Sequence, residues 1–319
     1  MKVINGIENY ITNDKPVYLA LGNFDGVHLG HKYLIDATVA RAHEQNGIAA
    51  ALIFEPHPAA VLFPDKAPKL LITQARKTEL LEELGLDVLI YTPFTLEIAR
   101  WSPEQFVTSI LINTLRIKEA FVGFNYSFGN RGSGTPELLA ELGHKYGIGV
   151  NIIPPVTVNG ETVSSSLIRQ AILAGNISLA RAMLGHWPTI EGTVIEGEHR
   201  GRLIGFPTAN LGVESGLIVP GKGVYSACTV IDGQFFTSVV NIGNKPTFHR
   251  EYPTSIEAYI INFAGNIYGK QLRLFMLEKI RDEKRFNNVD ELIAQIKNDC
   301  QQACSISELN PQVPFLRSL

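Results

Sequence analysis

Residues 21–31 have the sequence LGNFDGVHLGH and form a glycine-rich stretch between a predicted strand and a predicted helix. A short apolar run, residues 17–21, leads into the stretch, and a helical pattern over 32–46 follows it. An open parallel sheet binds phosphate groups at such a place, because free backbone N–H groups and the positive end of the helix dipole meet there. The stretch therefore predicts a nucleotide site at the carboxyl edge of an α/β sheet.

Two histidines in this stretch indicate phosphate chemistry. His28 and His31 are three positions apart, so both imidazoles lie on one side of a first helical turn. Gly30 lets a bulky ligand approach the backbone between them. Such a pair can stabilise the charge that develops on an α-phosphate during an in-line displacement. A surface or metal-binding pair is the alternative, but the preceding strand and the glycine-rich loop favour the phosphate site.

The first half of the chain alternates short apolar runs with helical patterns, which is typical of a parallel sheet joined by crossover helices. Predicted strands cover residues 17–21, 48–54, 88–91, 120–123 and 150–153, and predicted helices cover 32–46, 73–84, 105–115 and 137–146. Ser102, Pro103 and Glu104 form a start signal for the third helix, because they suit its cap, its first turn and its dipole. This order predicts a Rossmann-like α/β domain.

The pattern changes in the second half. Helical patterns at 165–173 and 177–184 are expected to end the first domain, and short alternating strands separated by glycine-rich turns begin at Thr189. The predicted strands are 192–196, 223–231, 234–242, 255–263 and 271–280, with Asp232-Gly233 as a hairpin turn. These features predict a small antiparallel β-barrel or sandwich. We therefore predict domains at residues 1–186 and 187–319.

A C-terminal helix completes the predicted second domain. One apolar stripe contains Val289, Leu292, Ile293, Ile296 and Cys300. The tail from Ser305 onward is expected to fray.

Composition excludes several classes of protein. The chain has 319 residues, 45% of them hydrophobic and 18% charged, which fits about two globular domains and excludes a disordered or collagen-like chain. A net charge of −3 supplies no general attraction to nucleic acid or an anionic membrane. No apolar run approaches the roughly 18 residues of a membrane span, and the three cysteines lack a disulfide or zinc pattern. We expect a cytoplasmic protein with reduced cysteines and with no nucleic-acid or membrane partner, and we make no prediction about self-association.

Two further segments of the first half offer groups that bind anions. The stretch 163–169, VSSSLIR, begins a helix after the fifth strand, where hydroxyls, backbone N–H groups and Arg169 form an anion site. A plain serine cap with a solvated arginine is the alternative. The stretch 123–129, GFNYSFG, follows the fourth strand and, with Arg131, supplies aromatic rings, an amide and a cation. A well-packed loop is the alternative there.

The second half contains its own candidate site, and it lacks a P-loop motif. Thr208 and Asn210 flank one residue, so on an extended segment their oxygens point the same way and could hold one Mg²⁺. Glu257 lies among apolar neighbours in a predicted strand, where a half-buried carboxylate can serve as a general base. Taken singly, each of these residues is more often a turn cap or a surface residue.

In the first half, four motifs in order resemble the adenylyltransferase domain of the bacterial bifunctional riboflavin kinase/FAD synthetase family. They are GNFDGVHLGH, FEPHP at 54–58, GFNYSFG and SSSLIR, and the resemblance covers most of residues 1–184. It implies a nucleotidyltransferase fold that moves AMP from ATP to FMN with Mg²⁺ assistance and releases pyrophosphate. The family usually has threonine as the third hydroxyl of the serine motif, and Ser166 keeps that hydroxyl.

The resemblance also assigns roles to individual residues. His28 and His31 would handle the ATP phosphates, which Asn125 helps to position, while Ser164, Ser165 and Arg169 would bind the leaving pyrophosphate. Further nucleotide-binding positions would be Gly22, Asn23, Phe24, Asp25 and Gly30. The flavin pocket would contain Phe54, Pro56, His57, Pro58 and Phe128, with Phe54 and Phe128 as plain core residues in the alternative interpretation.

The stretch 201–210, GRLIGFPTAN, and the downstream Glu257 resemble the riboflavin kinase domain over roughly residues 187–305. This implies a six-stranded barrel that transfers the ATP γ-phosphate to a ribityl hydroxyl of riboflavin. Thr208 and Asn210 would hold the metal, and Glu257 would accept the hydroxyl proton. Gly201, Arg202 and Gly205 would form a nucleotide flap, and Asn241, Lys245 and Thr247 would belong to a neighbouring loop.

The resemblance leaves two other functions to be weighed. One is a nucleotidyltransferase with a nucleic-acid-binding barrel, but no basic stripe supports it. The other is a flavin sensor without turnover, against which both histidines and Glu257 argue.

Overall fold

The computed structural model describes residues 1–12, 14–198, 200–244 and 254–310, with only the backbone of Arg200. The chain divides into two compact units, residues 1–165 and 166–319. The helical patterns at 165–173 and 177–184 therefore fall almost wholly in the second unit, although they were expected to end the first domain. The assignment of domains to 1–186 and 187–319 stays a prediction.

The first unit contains one parallel sheet of six strands. The strands are β1 (Lys2–Asn5), β2 (Val17–Leu21), β3 (Ile48–Phe54), β4 (Val88–Thr92), β5 (Ile117–Gly123) and β6 (Gly149–Ile153). Their order is β1-β4-β3-β2-β5-β6, so the order reverses at β2. The carboxyl ends of β2 and β5 therefore flank a switch point, where ligands of open α/β sheets bind.

The predicted strands are confirmed, and the sheet has one more strand at its edge. β1 was missed because it is only four residues long and buries Ile4 alone, so it shows no apolar run. β2 is recognisable from sequence because all five of its residues are buried in the middle of the sheet. Central strands of a parallel sheet are covered on both faces and are therefore continuously apolar.

Helices cover the sheet between its strands. They are α1 (Leu29–Glu44), α2 (Pro58–Leu62), α3 (Gln74–Glu83), α4 (Pro103–Phe106) and α5 (Pro136–Tyr146). The start predicted at Ser102 is confirmed by a capping box between Ser102 and Gln105. The predicted helix over 105–115 is not one uniform α-helix, because α4 gives way to a π-helical segment, Val107–Thr114, in which residues Ile110 and Leu111 are buried. A small hairpin, β7 (Thr157–Val158) and β8 (Glu161–Thr162), precedes the serine motif.

The second unit is a closed antiparallel barrel with helices around it. The helices α6 (Ser165–Leu173) and α7 (Ile177–Leu184) come before it in sequence. The barrel strands are β9 (Thr189–Ile195), β10 (Thr208–Gly212), β11 (Gly223–Ile231), β12 (Gln234–Asn244), β13 (Thr254–Ile260) and β14 (Gln271–Arg281), in the order β10-β13-β12-β11-β14-β9. Closure decides between the barrel and the sandwich. The unit also contains α8 (Arg200–Leu203) and α9 (Val289–Glu308).

Local signals in this unit have mixed outcomes. The turn at Asp232-Gly233 is confirmed, with φ angles of 49° and 78° and with Ile231 paired to Gln234. The fraying expected from Ser305 is wrong for residues 305–308, because α9 continues to Glu308 and the Ser307 hydroxyl bonds to Cys228 and Thr237. Residues 311–319 of that tail lie outside the described residues. Side-chain contacts with the barrel thus hold the last turn of α9.

The apolar stripe predicted for α9 is only partly buried. Val289 at the start of the helix is 56% exposed. Asp299 and Ala303 are the residues of α9 that are fully covered. Asp299 tolerates this burial because it accepts hydrogen bonds from the guanidinium of Arg281 at 2.8–3.2 Å.

Candidate active sites

The loop after β2 wraps around a buried aromatic ring. Phe24 is 0% exposed and has a φ of 48°, and Gly26 and Val27 also have positive φ, at 85° and 39°. A Cβ at Gly22 would lie 3.2 Å from the Phe24 ring, so a side chain there would crowd the ring. The Phe24 side chain therefore supports the loop from inside, and its predicted contact with a nucleotide stays a prediction.

The two histidines meet at the start of α1, as predicted from their spacing. His28 caps the helix, and its Nδ1 accepts the backbone N–H of His31 at 3.3 Å. The two imidazoles stack with centroids 3.6 Å apart and planes 13° apart, and the edge of Phe24 contacts His31 at 5.2 Å between centroids. Both rings thus lie on one side of the helix N-terminus, where the dipole favours an anion.

Burial controls the charge of His31. Desolvation lowers the pKa of His31 well below its ordinary value of 6.5, and the nearby His28 and Lys77 lower it further. His31 is therefore neutral at neutral pH. Its Nδ1 atom is buried and has no hydrogen-bond partner among the described residues. A neutral ring with an unpaired nitrogen can donate to a phosphate oxygen.

Asp25 ties three segments of the first unit together. Its buried carboxylate accepts the backbone N–H of Leu71 at 2.9 Å, and its backbone carbonyl accepts the hydroxyl of Ser165 at 3.0 Å. The serine motif is thereby held against the histidine loop, as the predicted sheet topology requires. Ser164 is half-buried. Arg169 follows one turn later on α6, in the second unit.

Sequence reasoning missed two buried cations on α3. Arg76 and Lys77 are each only 3% exposed. Burial lowers the pKa of Lys77, and the neighbouring carboxylates Asp25 and Glu55 oppose that shift. A signal for Lys77 existed, because it lies three and four positions before the buried Leu80 and Leu81 and so occupies the apolar face of the helix.

Aromatic residues cluster behind the carboxyl ends of β3 and β5. Phe54 and Phe94 meet edge to face at 5.2 Å, while Phe128 contacts Phe106 at 5.4 Å and stacks on Tyr126 at 5.7 Å between centroids. Phe128 is 6% exposed and belongs to the core of the unit, and Phe54 is half-buried. Both rings thus pack on the core of the unit, as the alternative interpretation of plain core residues expects. Their role in flavin binding stays a prediction.

The segments that carry Asn125 and His57 reach the same edge of the sheet. Asn125 is exposed just after β5, and a Cβ at Gly123 would lie 3.4 Å from its Oδ1 atom. His57 caps α2, with its Nδ1 accepting the backbone N–H of Ala59 at 3.1 Å. Its Nε2 lies 3.2 Å from the side-chain amide of Asn23. Pro56 and Pro58 flank this histidine, and Pro58 is the first residue of α2.

The barrel brings the second set of predicted residues together on three neighbouring strands. Asn210 on β10 is paired directly with Glu257 on β13, and Glu257 is paired on its other side with Asn241 on β12. Directly paired residues project from the same face of a sheet. Ala209, Ala258 and Val240, which alternate with them, form part of the barrel core. The carboxylate therefore lies between two amides on the outer face.

The loop before β10 covers this face. A Cβ at Gly197 would collide with the amide of Asn210, and a Cβ at Gly201 would lie 3.6 Å from the Thr208 hydroxyl. Phe206 packs edge to face on Tyr259 at 5.2 Å. Arg202 and Gly205 are exposed in the same loop, and Gly205 has a φ of 88°. Lys245 and Thr247 lie outside the described residues.

Within the described ranges, no group of three or more His, Cys, Asp or Glu side chains is arranged to hold a metal ion.

Family models match both halves of the chain. The model described as FAD synthetase covers residues 10–167, and the one described as riboflavin kinase covers 184–307. A bifunctional riboflavin kinase/FMN adenylyltransferase from Bacillus subtilis (strain 168) is 39% identical over 89% of this chain and 90% of its own. A protein of the same name from Escherichia coli (strain K12) is 34% identical over 94% of this chain and 96% of its own.

A solved structure is similar over nearly the whole chain. A macrolide-efflux protein from Streptococcus pneumoniae has a TM-score of 0.86 and 30% identity, and the match covers 95% of this chain and 99% of that one. That name differs from the names of the two sequence relatives. In the part of the present chain that the structure describes, no helix is long and apolar enough to cross a membrane.

Proposed function

Because the chain belongs to the family of bifunctional riboflavin kinase/FMN adenylyltransferases, we propose that each of its two units carries one of the two reactions. The enzyme phosphorylates riboflavin to FMN with ATP and transfers AMP from ATP to FMN, giving FAD and pyrophosphate. The FAD synthetase match lies almost entirely on the parallel-sheet unit, and the riboflavin kinase match lies on the barrel unit. These relatives do not favour a nucleic-acid enzyme or a flavin sensor without turnover.

In the proposed adenylyl transfer, a phosphate oxygen of FMN attacks the α-phosphorus of ATP. A P–O bond forms there, and the bond from the α-phosphorus to the oxygen that bridges to the β-phosphate breaks. Negative charge builds up on the α-phosphate oxygens, and His28 and His31 are placed to donate to them. The observation that carries this proposal is the stacked histidine pair at the N-terminus of α1, beside the switch point of the sheet.

The neutral state of His31 suits this role. A neutral imidazole donates from one ring nitrogen, and a bound phosphate raises the pKa of the ring by its negative charge. His31 can therefore take up a proton as the nucleotide binds and hold it against the phosphate during the displacement. Gly30 keeps the backbone between the two rings open to the ligand.

The serine motif is proposed to receive the leaving pyrophosphate. The Ser165 hydroxyl already donates its proton to the carbonyl of Asp25, so this residue mainly fixes the start of α6. Ser164 is proposed to supply a donor on the parallel-sheet unit, and the pyrophosphate-binding role of Arg169 stays a prediction. In this proposal the α-phosphate, which is attacked, lies at the histidines, and the leaving pyrophosphate lies at the serine motif.

In the proposed kinase reaction, Glu257 accepts the proton of the ribityl hydroxyl while that oxygen attacks the γ-phosphorus of ATP. The bond from the γ-phosphorus to the oxygen that bridges to the β-phosphate breaks, and ADP leaves. Asn210 and Asn241 flank the carboxylate on the neighbouring strands. Their amides can hold the hydroxyl or the phosphate beside it, which is the geometry a general base needs.

The same face fits Mg²⁺ by its chemistry. Thr208 and Asn210 lie on one side of β10, beneath a loop in which Gly197 makes room for the Asn210 side chain. Hydroxyl and amide oxygens are ligands that Mg²⁺ accepts together with phosphate oxygens. When bound, the ion neutralises charge on the transferred phosphate. The exposed residues Arg202 and Gly205 are proposed to form a flap over the nucleotide.

The remaining assignments belong to the same proposal. Asn125 positions phosphates at the carboxyl end of β5, and Phe54, Pro56, His57, Pro58 and Phe128 form the flavin pocket. A cytoplasmic location is also proposed, and it rests on the number and spacing of the cysteines.

Flavin chromatography tests the proposed function directly. The full chain is incubated with riboflavin, ATP and Mg²⁺, and the flavins are separated over time. FMN is expected first and FAD afterwards, while FMN as the starting flavin should give FAD without a lag. Failure to convert either flavin would contradict the proposal.

A further inference from the structure

We infer that His57 is a positioning residue that turns the side-chain amide of Asn23, so that the amide oxygen faces the imidazole and the NH₂ group is presented to a phosphate oxygen of the bound nucleotide. The inference rests on the proposed phosphate site in the loop after β2. It adds to that site a specific donor, Asn23, and the residue that orients it.

The argument begins with the tautomer of His57. The Nδ1 atom accepts the backbone N–H of Ala59 at 3.1 Å, because His57 is the cap of α2. A nitrogen that accepts this bond carries no proton of its own. A neutral imidazole holds one N–H, so in His57 that N–H must be on Nε2. The helix cap therefore fixes the tautomer.

The tautomer in turn fixes the amide of Asn23. The Nε2 of His57 and the side-chain Nδ2 of Asn23 lie 3.2 Å apart. Two N–H groups cannot donate to each other, so the amide atom that faces Nε2–H must be the oxygen. The oxygen and nitrogen of a side-chain amide are assigned from the hydrogen bonds that they make. The NH₂ group of Asn23 is then turned away from His57.

That NH₂ group is available for a ligand. Asn23 is half-buried at the carboxyl end of β2, and the contact with His57 is the only hydrogen bond of its amide among the described residues. It belongs to the same loop as His28, which caps α1. A donor at this edge, next to a helix N-terminus, suits an anionic oxygen rather than a cation. The phosphate can belong to ATP or to FMN.

Substitution of Asn23 tests which amide atom faces the ligand. Asn23→Ala removes the donor, and we expect kcat/KM for FAD formation from FMN to fall about tenfold, which is the scale of one lost hydrogen bond. Asn23→Asp keeps an oxygen toward His57 but places negative charge toward the phosphate, so a larger loss of about a hundredfold is expected. KM measured separately for ATP and for FMN identifies whose phosphate is bound. An Asn23→Asp enzyme as active as wild type would overturn the inference.

Substitution of His57 separates its two hydrogen bonds. His57→Gln keeps an N–H group near the position of Nε2 but loses the cap of α2, whereas His57→Asn keeps an acceptor for Ala59 but loses the contact with Asn23. We expect His57→Gln to retain more kcat/KM than His57→Asn. The reverse order, or equal losses, would mean that His57 acts only as a cap and would overturn the inference. His43→Asn, at an exposed histidine paired with Asp87, is the control.

A nuclear magnetic resonance measurement is independent of activity. Long-range ¹H–¹⁵N correlation on histidine-labelled full-length protein reports which ring nitrogen carries the proton, and comparison with His57→Gln identifies the His57 signals. The Nε2–H form is expected. The Nδ1–H form would overturn the inference whatever the kinetics. If the tautomer is as expected but Asn23 variants leave both KM values unchanged, the phosphate site itself has been misplaced and the proposed donor role of Asn23 fails with it.

Discussion

The proposed adenylyl-transfer site is built around the N-terminus of one helix, whereas the proposed kinase site is built across three antiparallel strands. At the first, His28 and His31 stack at the start of α1, after a loop with positive φ angles that the buried Phe24 supports from inside. At the second, Glu257 gains its neighbours Asn210 and Asn241 from strand register. A motif of consecutive residues therefore describes the first site, but only barrel closure assembles the second.

The difference has a chemical side. The helix terminus and its buried imidazoles form a site for negative charge, and the neutral state of His31 leaves that charge to be supplied by the ligand. The barrel site contains a carboxylate between amides and is suited to taking a proton from a hydroxyl. If the two sites are independent, a substitution at one site should impair the reaction of that site and leave the other reaction unchanged.

The largest effect is expected at the base. Glu257→Gln should lower FMN formation from riboflavin by about 10³-fold or more, because the hydroxyl loses its proton acceptor. Asn210→Ala should act in the same direction, since it removes a proposed metal ligand next to the base. Flavin chromatography with riboflavin measures the loss, and the same proteins should still convert FMN to FAD.

The control for this prediction is Glu278→Gln, an exposed carboxylate on β14 of the same barrel. It should form FMN at the wild-type rate. Wild-type FMN production by Glu257→Gln would remove this residue from the role of base.

The next effect concerns the histidines. His28→Ala or His31→Ala should lower FAD formation from FMN by about 10²-fold or more, because each removes a donor to the charge on the α-phosphate. FMN should then accumulate from riboflavin. His144→Ala, at an exposed position of α5, serves as the matched control. Equal losses in both reactions would show that the two sites are not separable.

Truncation tests where the independent unit begins. Ile177 and Met183 of α7 are buried, with Ile177 in the barrel core, and the Arg181 guanidinium lies 3.3 Å from the centre of the Trp187 ring. A chain that begins at Ser166 should keep kinase activity and lose adenylyl transfer. A chain that begins at Trp187 should be less stable by at least about 2 kcal/mol, because it loses those apolar contacts.

Urea unfolding of the two truncated chains measures this difference and shows whether each is folded, and riboflavin phosphorylation shows whether each is active. Equal unfolding free energies would favour a boundary at residue 186, as predicted from sequence. An inactive but folded chain from Ser166 would contradict the independence of the barrel unit.

The smallest effect is a pH dependence of stability. The folded pKa of His31 lies well below 6.5, so as pH falls below 6.5 the unfolded chain takes up a proton that the folded chain refuses. Its contribution should lower the unfolding free energy by at most about 1.4 kcal/mol per pH unit, and the loss should stop once pH falls below the folded pKa. Above pH 6.5 this contribution is flat.

The test compares the unfolding free energies of the wild type and His31→Gln as a function of pH. A range from about pH 5 to about pH 8 brackets the ordinary histidine pKa of roughly 6.5. The variant should lose part of the slope on the acid side. Identical slopes would mean that folding does not lower the pKa of His31. Bound ATP should reduce the slope, because phosphate charge favours the protonated ring.

Sequence alone was sufficient for the elements that bury both faces or carry their own stop signals. β2 is a continuous apolar run, Ser102 begins its helix with a capping box, and Asp232-Gly233 turns the β11–β12 hairpin. In the cap and the turn, the determining interactions are between residues close in the chain, and in β2 the composition of the run alone indicates burial on both faces. The histidine pair belongs to the same group, because three-residue spacing on a helix determines which side both rings occupy.

Tertiary structure decided the features that depend on distant partners. β1 and β10 are short, and they form strands because neighbouring strands pair with them. The patterns of α6 and α7 predict helices but do not indicate to which unit the helices belong. The sequence pattern indicates that Lys77 lies on the apolar face of its helix, but only the tertiary structure shows that His31, Asp25 and Glu55 are its titratable neighbours. The contact between His57 and Asn23 spans 34 positions of the chain. No local pattern encodes such a contact, because its free energy arises only after the sheet has brought the ends of β2 and β3 side by side.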